Sequence, residues 1–130
     1  MNWRQPIDTH YNPLSARTFQ NEVRKRFARL AACIGWTMQD YDLYTKPSKG
    51  SDHIYLHHDN YYLALYPDVG VLAFHTCRSR RDHHGRPVAL MRLDFLDDIP
   101  NLASKIHGAI TLRRFTGEMR PVTFALTRES

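Results

Sequence analysis

The stretch His53-Ile54-Tyr55-Leu56-His57-His58-Asp59-Asn60-Tyr61-Tyr62-Leu63-Ala64-Leu65-Tyr66 decides the fold. Two six-residue segments rich in aromatic and aliphatic residues flank Asp59-Asn60, a pair suited to a two-residue hairpin turn. Side chains alternate across a strand, so this turn sets which residues share a face. Leu56 then opposes Leu63, and Ile54 opposes Leu65, on one face. His57 opposes Tyr62, and Tyr55 opposes Ala64, on the other.

The pattern extends along the chain. Pro67-Asp68-Val69-Gly70 reads as the next turn. Val71 to Arg78 is predicted as a third strand, which places Leu72 and Phe74 on the aliphatic face and His75 beside Tyr62. A loop from Ser79 to Arg86 leads to a fourth strand over Pro87 to Phe95. There Ala89, Met91, Leu93 and Phe95 continue the apolar set, with Val88, Leu90, Arg92 and Asp94 opposite. Trp36 to Tyr44 is compatible with a short strand or a turn.

Two amphipathic helices can cover the aliphatic face. Phe19, Val23, Phe27, Leu30 and Ile34 recur with helical spacing, which predicts a helix from about Leu14 to Ile34 with Gly35 as its stop. Cys33 sits beside these positions and is expected in the core. The basic residues Arg17, Arg24, Lys25 and Arg29 fall on the other faces, as a solvated surface or as a ridge facing an anion. A second helix is expected after Asp98, with Ile99, Leu102, Ile106 and Ile110 as its buried stripe. Pro121 to Leu126 alternates and is a candidate edge strand. The fold class is therefore α+β in two layers: a helix, a four-stranded antiparallel meander, a second helix and a possible fifth edge strand. Residues 1–14 read as an irregular N-terminal arm, and 15–130 as a single domain.

Composition narrows the function classes. The chain of 130 residues is 42% hydrophobic and 24% charged, an ordinary globular balance. No apolar run is long enough to span a membrane. Met1 to Pro6 lacks the apolar core of a secretory signal, and the two cysteines, Cys33 and Cys77, form no CxxC motif. A cytoplasmic protein with reduced thiols is the expectation. There is no Gly-rich phosphate loop, no GxSxG and no HExxH, so no cofactor is indicated. His53 and His57 are about 13 Å apart along one strand, too far to share a metal ion, and no metal site is expected.

The net charge is +5, with Arg in excess of Lys, which favours a polyanionic partner. Arg78, Arg80, Arg81 and Arg86 cluster in the loop, together with Asp82, His83 and His84. The second sheet face carries Tyr55, His57, Tyr62, Tyr66, His75, Cys77 and Arg92. Its predicted row His57–Tyr62–His75, with Arg92 in reach, suits the stacking of unpaired bases, while the Arg loop suits phosphates. The leading expectation is a non-enzymatic module that binds RNA or single-stranded DNA through these residues, with Arg80 and Arg81 exposed and their removal costing little stability. Tyrosine and arginine equally suit an acidic protein surface, so an inhibitor or adaptor acting by occlusion is the alternative. Plain packing of the tyrosines is the bland reading. A small nuclease is the third possibility. His57, His75, Tyr62 and Arg92 are the groups a metal-independent ribonuclease would use. Asp82-His83-His84, Asn101 and His107 resemble the residue order of HNH nucleases, although the zinc-knuckle cysteines of many such enzymes are missing and the Asn101–His107 interval is short.

Overall fold

The computed structural model describes residues 13–49 and 52–112. It has an N-terminal helix, five antiparallel strands in one sheet, then a second helix, an α+β fold. Helix α1 runs Pro13–Ile34. The strands are β1 (Tyr41–Lys46), β2 (His53–His58), β3 (Tyr61–Tyr66), β4 (Val71–Thr76) and β5 (Pro87–Arg92), paired in sequence order. A short 3-10 helix, Leu93–Asp97, precedes α2, Ile99–Leu112. No helix among the described residues is long and apolar enough to cross a membrane.

The Asp59-Asn60 turn sets the register read from the sequence. Leu56 pairs with Leu63, His57 with Tyr62, and Ile54 with Leu65. Across the next hairpin Leu63 pairs with Phe74, Leu65 with Leu72, and Tyr62 with His75. The aliphatic face packs against α1 through Phe19, Val23, Phe27 and Leu30, and against α2 through Ile99, Leu102 and Ile106.

α1 ends in a Schellman arrangement. Gly35, at φ +96°, donates its N–H to Ala32 and Ala31, and Trp36 donates to the Ala31 carbonyl at 2.9 Å. Ala31, on one flank of the apolar stripe, is buried, whereas Cys33 on the other flank is exposed. The expected core position of Cys33 is thus corrected: the sheet meets the Ala31 side of the stripe.

Three further features depart from the sequence reading. Trp36 to Asp40 turns, and β1 follows as the fifth strand, an edge strand beside β2. Arg24 of α1 donates to the Thr45 hydroxyl at 2.6 Å, so a side chain read as solvated surface or as part of a basic ridge instead guards that edge. The fourth strand of the predicted meander stops at Arg92, not Phe95. The 3-10 turn that follows eclipses residues three apart, which brings both Leu93 and Leu96 into the core and leaves Phe95 only half-buried. The candidate strand 121–126 and most of the N-terminal arm lie outside the described residues.

Candidate functional site

The second face of the sheet carries three rows of side chains. One row is Asp42, His57, Tyr62 and His75; the next is Tyr44, Tyr55, Ala64, Ala73 and Leu90. The third holds Lys46, His53, Tyr66, Val71 and Arg92. The predicted row forms a continuous ring stack: His57 and Tyr62 centroids are 4.7 Å apart at 18°, and Tyr62 and His75 are 4.7 Å apart at 1°. Arg92 does not join it. Its partner Val71 lies four residues along β4 from His75, about 13 Å, and the Arg92 guanidinium pairs with Asp94 at 2.8 Å.

These rings are covered. His57 is 0%, Tyr62 2% and Tyr55 5% exposed, and the two tyrosines form a second, smaller core with Ala64 and Cys77. The cover is the loop Cys77–Arg86, which folds back over the sheet as a strap. His83 enters from it, stacking on Tyr55 at 4.5 Å and meeting His57 and Tyr62 edge-on at 5.5 and 5.8 Å. Tyr62 donates its hydroxyl hydrogen to the His83 carbonyl at 3.4 Å.

The strap is tied at its neck, its tip and its middle. At the neck Thr76 N–H donates to the Arg86 carbonyl at 2.8 Å, and Arg86 N–H to the Thr76 hydroxyl at 2.9 Å. Gly85 passes so close to Thr76 that a Cβ there would lie 1.4 Å from its carbonyl oxygen. Within the strap the Asp82 carboxylate accepts from the N–H groups of Arg78 and His84, which holds its carboxyl below the usual range. Arg81 has φ 71°, a left-handed conformation that a non-glycine residue keeps only when its surroundings enforce it.

His57 enforces it. Arg81 N–H donates to His57 Nδ1 at 3.1 Å, and the same nitrogen lies 3.0 Å from the His58 carbonyl. Nε2 donates to the Asp82 carbonyl at 3.0 Å, since a carbonyl oxygen can only accept. Both ring nitrogens are taken by strap backbone.

The arginines of the strap divide into two sets. Arg80 donates to Asp59 at 2.9 Å, to Asp42 at 3.4 Å and to the Gln39 carbonyl at 3.0 Å. Arg81 donates to Asp42 at 3.0 Å and lies 4.0 Å over the Tyr44 ring. These two side chains therefore tie the strap to β1 and the β2–β3 turn rather than forming a free basic run; Arg81 is exposed, and Arg80 is half-buried. Arg78 and Arg86 are exposed, and His84 is 95% exposed by its side chain. Tyr66 flanks the small core from the far row, edge-on to His53 at 4.6 Å.

The proton-bearing groups are held in their neutral forms. Burial pushes the hydroxyls of Tyr55 and Tyr62 well above the normal range and that of Tyr44 to about 12. Burial likewise raises the Cys77 thiol to about 11, where it can donate to the carbonyls of His58 and Asp59. It lowers the pKa of His75, whose Nδ1 is buried without a hydrogen-bond partner. With both ring nitrogens of His57 hydrogen-bonded and Arg92 two rows away, the four candidate ribonuclease groups are not brought together. The HNH-like residues also fail to converge. His83 packs on the strap side, while Asn101 and His107 are exposed on α2, which packs against the opposite face.

Among the described residues, no group of three or more His, Cys, Asp or Glu side chains is placed to hold a metal ion. Compared with family models, with curated proteins and with solved structures, the chain matches none.

Proposed function

We propose that the protein is a non-enzymatic module that binds a polyanion, RNA or single-stranded DNA, through the outer surface of the strap. The observation that supports this reading is the division of labour among the strap arginines. Arg80 and Arg81 are committed to internal carboxylates, and this anchored frame presents Arg78, Arg86 and His84 to solvent. A rigid frame loses little entropy when it meets a phosphate backbone. Arg suits that partner through its fork of donors. The buried rings contribute by supporting the strap rather than by stacking on bases, so contacts to phosphate dominate and sequence preference is weak.

Titration of a labelled dT or rU dodecamer between 50 and 300 mM salt tests it. Changing Arg78 and Arg86 to Ala is expected to weaken binding about tenfold at the lowest salt. The log–log salt slope should become shallower by about 1.4, from roughly 0.7 per lost phosphate contact on a single strand. Thermal stability should be unchanged, since both side chains are exposed. An unaltered slope, or no binding by the wild type at 50 mM salt, would refute this reading and favour an acidic protein partner.

A further inference from the structure

The geometry points to the strap as a proton-sensitive latch: protonation of His83 on Nδ1 releases the strap from the sheet and dismantles the surface that carries Arg78, Arg86 and His84.

The hydrogen bonds of His83 define its protonation state. Lys46 Nζ lies 3.3 Å from His83 Nδ1, and an ammonium can only donate, so Nδ1 must offer a lone pair. The proton therefore sits on Nε2 and goes to the Tyr44 hydroxyl oxygen at 2.7 Å. An added proton would occupy Nδ1, remove the acceptor of Lys46 and set two cationic groups 3.3 Å apart. The ring would also carry its charge among the rings of Tyr55, His57 and Tyr62.

Every element packed around His83 bears on this balance. β1 contributes Tyr44 and the Lys46 cation. β2 contributes Tyr55 and His57, and β3 contributes Tyr62. On the strap itself Arg81 lies over Tyr44, and Asp82 spends its carboxylate on the N–H groups of Arg78 and His84 and on the His84 ring. Among the described residues, Asp82 favours a charged His83. Burial, Lys46 and His57 outweigh it and hold the His83 pKa down at about 4.

The direction of the pH effect follows from linkage. A histidine whose pKa is lower in the closed form binds protons preferentially in the open form. The closed strap has its full advantage above about pH 6.5, the ordinary histidine value. It loses that advantage as pH falls from there towards 4. Between pH 7.5 and 5 the closed-to-open ratio is expected to fall roughly ten- to thirty-fold.

The proposal rests on the reading above only in taking the strap as the contact surface. Amide hydrogen exchange measured without nucleic acid therefore separates failure of the latch from failure of oligonucleotide binding. The reporters are the amides of Arg81, Asp82 and His84 on the strap, and those of Leu63 to Leu65 in β3, with rates corrected for the intrinsic effect of pH. In the wild type, strap protection is expected to drop at least tenfold from pH 7.5 to 5 and to lie well below β3 protection at both values. His83→Gln, which can still accept from Lys46 and donate to Tyr44, should flatten the strap response. His84→Gln should leave it intact. Lys46→Gln, which removes the opposing cation, should bring the closed-form His83 pKa closer to the normal histidine value and so shrink the drop in strap protection. Strap protection that is constant to pH 5, that equals β3 protection, or that still falls tenfold in His83→Gln would overturn the latch.

Discussion

Tyr62→Asp is expected to destabilise the protein about as severely as Leu63→Asp, although the two side chains point to opposite faces of β3. Alternation alone suggests that the Tyr62 face tolerates a charge. Tyr62 and Leu63 are, however, both 2% exposed. Leu63 is enclosed by the helices, and Tyr62 is enclosed by His57, His75 and the strap. A carboxylate in either place loses its water and gains no cation, which costs several kcal/mol, about 4 by the usual scale of buried charges. Tyr62→Phe keeps the ring and gives up only the long hydrogen bond to His83, a loss of about 1 kcal/mol or less. Urea unfolding of the three variants checks this. A Tyr62→Asp protein within about 1 kcal/mol of wild type would mean that the strap does not cover the sheet.

Two glycine substitutions should act in opposite directions. Gly85→Ala places a methyl group 1.4 Å from the Thr76 carbonyl oxygen and 3.0 Å from Cys77 Cα, both parts of the backbone. Backbone cannot rotate aside as a side chain can, so the neck must open, and with it the pairing of Thr76 with Arg86. A loss of about 3 kcal/mol, the upper end for overpacking, is expected, or detachment of the strap with the helices and inner core intact. Gly108 in α2 has nothing within 4 Å of an added Cβ. Gly108→Ala should therefore stabilise by about 0.5–1 kcal/mol through helix propensity alone. Thermal melts in one buffer compare them. Equal and small effects would place Gly85 in open space and contradict the close passage at the neck.

The parts of this fold that were legible in the sequence are those governed by local rules. Asp59-Asn60 fixes the pairing of β2 with β3, and the Pro67-Asp68-Val69-Gly70 turn carries the register on to β4. α1 shows its stripe and its glycine stop; α2 shows its Asp98 cap, which accepts from Asn101 N–H at 3.2 Å. β1 was ambiguous because an edge strand alternates weakly: Tyr41, Leu43 and Thr45 face the helices with only Leu43 aliphatic.

The site itself was half legible. The ring row was readable because cross-strand neighbours follow from register. Its cover was not, because nothing local says which loop returns over a sheet face. The partners of Arg80 and Arg81 are Asp42 and Asp59, separated from them by 21 to 39 residues, so a strap fastening read as a free basic run. A clue did lie in the loop. Asp82 can cap its own turn, and Gly85 permits close backbone approach, both signs of a loop with fixed structure rather than a solvated tip.

The contact between His83 and the sheet tests the central claim most directly, because the buried rings, the anchored arginines and the latch all depend on it. Nuclear Overhauser effects at pH 7.5 would measure it. Cross-peaks from the His83 ring protons to the ring protons of Tyr55 are expected from rings 4.5 Å apart, with the His83 resonances shifted by the stacked tyrosine. A His83 ring with solvent-like shifts and no cross-peak to Tyr55, Tyr62 or His57 would contradict the account, leaving the tyrosine face open and the strap a loop in solution.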